Sequence, residues 1–176
     1  HIKKEISRTP LYVLMLKNIC IGTKKEKILI KECFKQNLKI IEQRVLNGPL
    51  KDRATKEIRG GVWNDSLDSN MEELDYYPGK IFVIWDRIGL RVGGFSNVKE
   101  VLRKKIDNLG PSLIHSSDNY EESLDYINIC MPDRYFYYKD ENLINSHFSR
   151  YNIENLNFTQ FIHKIKASIR LNLIKM

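Results

Sequence analysis

Lys24, Lys27, Lys31 and Lys35 stand three, four and four residues apart. On an α-helix that spacing sets four ammonium groups in one stripe, and such a row suits the phosphates of a polyanion. Asp86 closes the apolar run Lys80–Trp85 (KIFVIW). A carboxylate at a strand end is a position from which a nuclease or phosphotransferase can hold a metal. Its upstream acidic partners would be Glu72, Glu73 and Asp75, and an exposed turn aspartate is the expected role. Tyr135, Phe136, Tyr137 and Tyr138 are consecutive. As a strand they would send two rings to each face, one pair into a core and one free to stack on unpaired bases. Gly93-Gly94 has neither dinucleotide-fold nor P-loop spacing and reads as a turn.

His115-Ser116-Ser117 and His147-Phe148-Ser149 superficially resemble the paired His-x-Ser motifs of two-histidine phosphodiesterases. Only 32 positions separate the two histidines, too few for the two lobes of that family, so both are read as loop residues. No nucleophile–base pair stands out. No catalytic residue, cofactor or metal site is expected.

The chain of 176 residues has 29 Lys and Arg against 22 Asp and Glu, a formal net charge of +7. Hydrophobic residues make up 42%, enough for a core, yet no apolar run approaches the roughly 20 residues of a membrane span. Cys20, Cys33 and Cys130 lie far apart without a CxxC pair, which argues against a disulfide framework or a zinc finger. The charge is divided: residues 1–60 carry a net +9, residues 61–160 a net −6 and residues 161–176 a net +4. A basic head and tail around an acidic middle suit a protein that meets a polyanion with its ends. Alanine occurs only twice among abundant Ile, Asn and Lys, a bias expected of an AT-rich genome. The chain opens on His1 rather than Met, so a removed or missing leading segment is expected.

The elements that must position these residues follow from pattern. Leu11–Lys17 (LYVLMLK) reads as a buried strand. Thr23 and Glu26 form a capping box that starts a helix at Lys24 and carries it to about Gln36, with Ile30, Cys33 and Phe34 on a stripe apart from the lysines. Leu38–Leu46 reads as a second strand, Arg53–Arg59 as a short helix and Lys80–Trp85 as a third strand after a Pro78-Gly79 turn. Asn97–Leu109, capped by Asn97, is the clearest helix of the second half. Tyr135–Lys139 reads as a strand and Phe158–Leu173 as a closing amphipathic helix. The class is α+β: a small β-α-β-α-β, ferredoxin-like sandwich over residues 1–85, followed by a long mixed α/β extension over residues 86–176.

Within residues 11–85, Lys17-Asn18, Ile21-Gly22, the basic helix 24–35, the strand ending at Val45 and Arg59-Gly60 come in a familiar order. This order resembles large-subunit ribosomal protein thirty, and the composition points to an organellar, mitochondrial member, with cytoplasm or plastid as alternatives. The resemblance implies a structural role in the large subunit, with ribosomal RNA and neighbouring ribosomal proteins as partners and neither a membrane nor a small-molecule substrate. Phosphate contacts are expected from Lys17, Lys24, Lys25, Lys27, Lys31, Lys35 and Arg59. A metal-dependent nucleic-acid-processing enzyme built on Asp86, or a protein–protein module using the acidic middle, are the alternatives.

Overall fold

A computed structural model describes residues 9–61, 63, 73–89, 95–106 and 112–151. The chain begins with β1 (Leu11–Lys17), every residue of which is buried. α1 (Lys24–Lys35), β2 (Leu38–Val45) and α2 (Gly48–Glu57) follow. β3 (Pro78–Asp86), α3 (Ser96–Ile106) and β4 (Ile114–Ser116) complete the sheet and its crossovers. α4 (Tyr120–Cys130), α5 (Tyr135–Lys139) and α6 (Glu141–Phe148) close the described chain.

The four strands form one antiparallel sheet in the order β2-β3-β1-β4. Pairings such as Val13↔Val83, Met15↔His115 and Ile40↔Ile84 set its register. The fold is α+β, as expected, and the apolar run of β1 is explained by its central place. Its side chains alternate between two cores, because successive residues of a strand point to opposite faces. Leu11, Val13 and Met15 pack with Ala54 and Ile58 from the α2 region, with Tyr126 and Ile127 of α4 and with Ile144 of α6. Tyr12, Leu14 and Leu16 pack with Leu29 and Cys33 of α1 and with Val98, Leu102 and Ile106 of α3. The sheet is therefore covered on both faces: α1 and α3 on one, α2 and α4–α6 on the other. The boundary expected between residues 85 and 86 falls at the end of β3, and both cores draw on residues from either side of it.

Several local expectations are corrected. Tyr135–Lys139 is a helix, not a strand. Its rings are spread around one and a half turns, and Tyr138 alone is fully buried, its hydroxyl donating to Glu42 at 2.7 Å. The helix expected over Arg53–Arg59 begins earlier, at Gly48, with Pro49 in its first turn, where the missing N–H is harmless. Pro78-Gly79 is the start of β3 rather than a turn before it. A Cβ on Gly79 would lie 2.5 Å from Ile21 Cδ1 and 2.7 Å from Asn18 Cα, so only glycine lets the chain after β1 pass this close. Asn97 lies inside α3 instead of capping it. On α1, Cys33 is buried, whereas Phe34 is 73% exposed and Ile30 is 40% exposed. The buried side of that helix is completed by Leu29, Glu26 and Glu32 instead. Gly93-Gly94 and the helix expected over Phe158–Leu173 lie outside the described residues.

The capping box takes a shifted form. Thr23 Oγ1 accepts from the Lys25 N–H at 3.2 Å, while the Glu26 carboxylate accepts from the Gly22 N–H at 2.6 Å. The other Glu26 oxygen accepts from Lys80 Nζ at 2.6 Å, tying the helix start to β3.

Candidate functional site

The expected RNA-contacting residues are parted by the sheet. Lys24, Lys25, Lys27, Lys31 and Lys35 are all exposed on α1. Lys35 bonds Glu32 one turn back. α3 lies beside α1 and adds Lys99, Arg103, Lys104 and Lys105, the last two exposed. Together α1 and α3 hold nine cations against three glutamates, a net of six positive charges. The helices on the opposite face, α2 and α4–α6, hold four cations against six acids. Charge is thus segregated by face. The sequence reading missed α3's share because it averaged residues 61–160 into one acidic segment.

Lys17 does not belong to this surface. It is 5% exposed, its ammonium donates to the Trp63 carbonyl at 2.8 Å and lies 4.8 Å from the centre of the Tyr76 ring. A phosphate contact from Lys17 is therefore corrected to a buried structural bond. Tyr76 is itself a core residue. Arg59 is exposed but follows Ile58, a residue of the α2/α4 core, so it stands across the sheet from the α1 lysines. Its backbone is left-handed, with φ of 56°, and its guanidinium lies over the Trp63 ring at 5.9 Å.

Trp63 joins Arg59 to a second feature, a cleft of about 540 Å³ between the end of α2 and α4. Trp63 meets His115 edge-on at 6.0 Å between ring centres. His115 lies in β4, opposite Met15, and is not the loop residue expected. Its Nε2 is 2.7 Å from the Tyr126 hydroxyl, which donates to Glu122 Oε1 at 2.6 Å. Glu122 in turn accepts from the Asp118 N–H at 2.6 Å. Since the tyrosine proton is given to Glu122, the tyrosine oxygen accepts from His115 Nε2–H. That network assigns the tautomer and leaves Nδ1 as the basic nitrogen.

Burial pushes His115 down to about 4, and the nearby charges of Arg59, Lys99 and Arg103 push the same way. The imidazole is therefore neutral at physiological pH. Burial and the bond to Glu122 push the Tyr126 phenol far up, so it serves as a proton-holding bridge. Of the cleft's carboxylates, Glu57 is bonded by Arg53 at 2.9 Å and Glu122 by Tyr126, while Asp125 is exposed. At the neighbouring edge of α3 and β4, Arg103 Nε and Ser116 Oγ are buried without a hydrogen-bond partner among the described residues.

Asp86 is fully buried rather than exposed, and its Oδ1 accepts from the Ile88 N–H at 3.0 Å, closing the turn after β3. Among the described residues no three His, Cys, Asp or Glu side chains converge as a metal site, and no helix is long and apolar enough to cross a membrane. The remaining aromatic candidates are dispersed: Tyr137 bonds His147 at 3.1 Å, whereas Phe136 is 80% exposed.

The chain matches no protein-family model and no curated protein sequence.

His115, Trp63 and Tyr126 were the residues missed in the sequence. The signals available were the apolar approach Leu113-Ile114 to His115 and the four-residue spacing of Glu122 and Tyr126, which sets them on one helix face. Nothing in the sequence tied Trp63 to either.

Proposed function

We propose that the protein binds a phosphate-bearing ligand at the His115 cleft. The observation that carries this reading is the cleft's lining: Arg59 and the His115 ring face it, while its carboxylates Glu57 and Glu122 are already bonded by Arg53 and Tyr126. Burial chiefly keeps the proton off His115, and Arg59, which adds to that effect, lines the same cleft and would offset part of the charge of a phosphate. The test is a titration of histidine-labelled protein with inorganic pyrophosphate, followed by the ring nitrogens of His115. The His115 resonances should move, and Arg59→Ala should weaken the response. Shifts confined to other residues would refute the reading.

The second reading is the ribosomal one, a structural protein of a mitochondrial large subunit that binds ribosomal RNA. It is supported by the basic face of α1 and α3, where five of the seven expected contacts remain exposed. Binding would be dominated by phosphates and would fall steeply with salt. Lys27→Glu with Lys31→Glu should remove RNA binding and leave pyrophosphate binding at His115 intact. Unchanged RNA affinity in that variant would refute it.

A further inference from the structure

Phe34 is 73% exposed although it sits on a helix whose other face is firmly packed. A solvent-facing phenylalanine gives up the burial that ordinarily stabilises it, and here it is surrounded by cations of its own helix. Lys31 precedes it by one turn and Lys35 follows it directly, while Lys27 and Lys31 flank Ile30 on the same side. Ile30 is 40% exposed. Like Phe34, it leaves an apolar patch inside the basic face.

The chemistry of that patch selects among polyanions. A continuous duplex offers phosphates and riboses to a helix face but keeps its bases stacked on one another, so an aromatic ring gains nothing from it. A single strand offers phosphates and unstacked bases together, and aromatic side chains set among cations are how such strands are held. Resting on the RNA-binding reading, we infer that the α1/α3 face takes single-stranded or looped RNA, with one unpaired base stacked on Phe34 and the adjoining phosphates on Lys27, Lys31 and Lys35. The occupant is assigned from charge: a face with a net of six positive charges over two helices repels a second copy of itself and is complementary to a polyanion.

The test uses the full chain and two labelled probes in low salt: a twelve-nucleotide single-stranded RNA and a blunt duplex of the same sequence. The single strand should bind more tightly. Phe34→Leu, which keeps an apolar side chain and removes the π-face, should weaken the single strand about ten-fold and leave the duplex unchanged. Phe34→Trp should restore it. A base analogue such as 2-aminopurine in the strand should be quenched by the wild type and not by Phe34→Leu. Equal affinities of wild type and Phe34→Leu would overturn the stacking inference while Lys27→Glu/Lys31→Glu still reports on the basic face. Failure of the wild type to bind either probe would overturn both. A concentration-dependent dimer lost in Phe34→Leu would assign the ring to a second copy and likewise overturn the inference.

Discussion

At the scale of the residue, His115 converts a packing decision into chemistry. Its imidazole is pushed down to about 4 chiefly by burial, with Arg59, Lys99 and Arg103 adding to the effect and Asp118 opposing it. In the unfolded chain the same group titrates near 6.5. The unfolded state therefore binds the extra proton between those two values, so the contribution of His115 is complete above about pH 6.5 and is lost as the pH falls to about 4. A loss on the order of 2–3 kcal/mol is expected over that window. Urea unfolding at pH 7 and pH 4.5 should show a smaller drop for His115→Gln than for the wild type. An equal drop would mean that the ring is protonated in the folded protein. Cys33 and Cys130 are also set by burial, each pushed up to about 12, which makes them packing residues rather than nucleophiles. Little of this was legible beforehand. A histidine inside an apolar stretch does not reveal whether it faces a core, a cleft or solvent.

At the scale of the element, most of what could be read was periodic. The strands over 11–17 and 38–46 and the helix from Lys24 were legible because alternation, caps and apolar runs are local signals. The tyrosine run failed for the opposite reason. Aromatic residues favour strands on average, but Tyr138 is drawn into a helix by its bond to Glu42 on β2, a partner 96 residues away. Pro78-Gly79 failed similarly. It looks like a turn signal, whereas its glycine is needed for the close passage of Asn18 and Ile21. Gly79→Ala should destabilise the protein by about 1–3 kcal/mol, because backbone atoms of Asn18 must shift to admit the methyl group. Thermal unfolding would check it, and an unchanged melting temperature would show that this junction is free to open.

At the scale of the molecule, the two cores bind the halves of the chain together. Eight of the eighteen residues in the α2/α4 core and six of the sixteen in the α1/α3 core lie beyond residue 86. A fragment ending at Asp86 would lose α3 from one face of the sheet and α4–α6 from the other, and leave β1 without β4. It should lack a cooperative unfolding transition, whereas the full chain should show one, as calorimetry would record. The class and most elements of the first half could be read in sequence, but the layering could not. Which face a helix covers depends on how the sheet is ordered, and here β3 lies between β2 and β1, two strands that both precede it in the chain. The same layering explains why seven expected contacts became two separate groups: the stripe on α1 was a property of one helix, while Lys17 and Arg59 were placed by Trp63.

Arg59 carries a consequence of its own. Its φ of 56° lies where a residue with a Cβ is strained by roughly 1–2 kcal/mol. Gly60 and Gly61 beside it adopt the same hand with no such penalty. Glycine would carry no such strain, so arginine at this position sets backbone strain against its contact with the Trp63 ring and its place in the cleft lining. Arg59→Gly relieves that strain and loses the contact over Trp63, so its melting temperature should stay close to that of the wild type while, on the phosphate-binding reading, affinity for pyrophosphate falls.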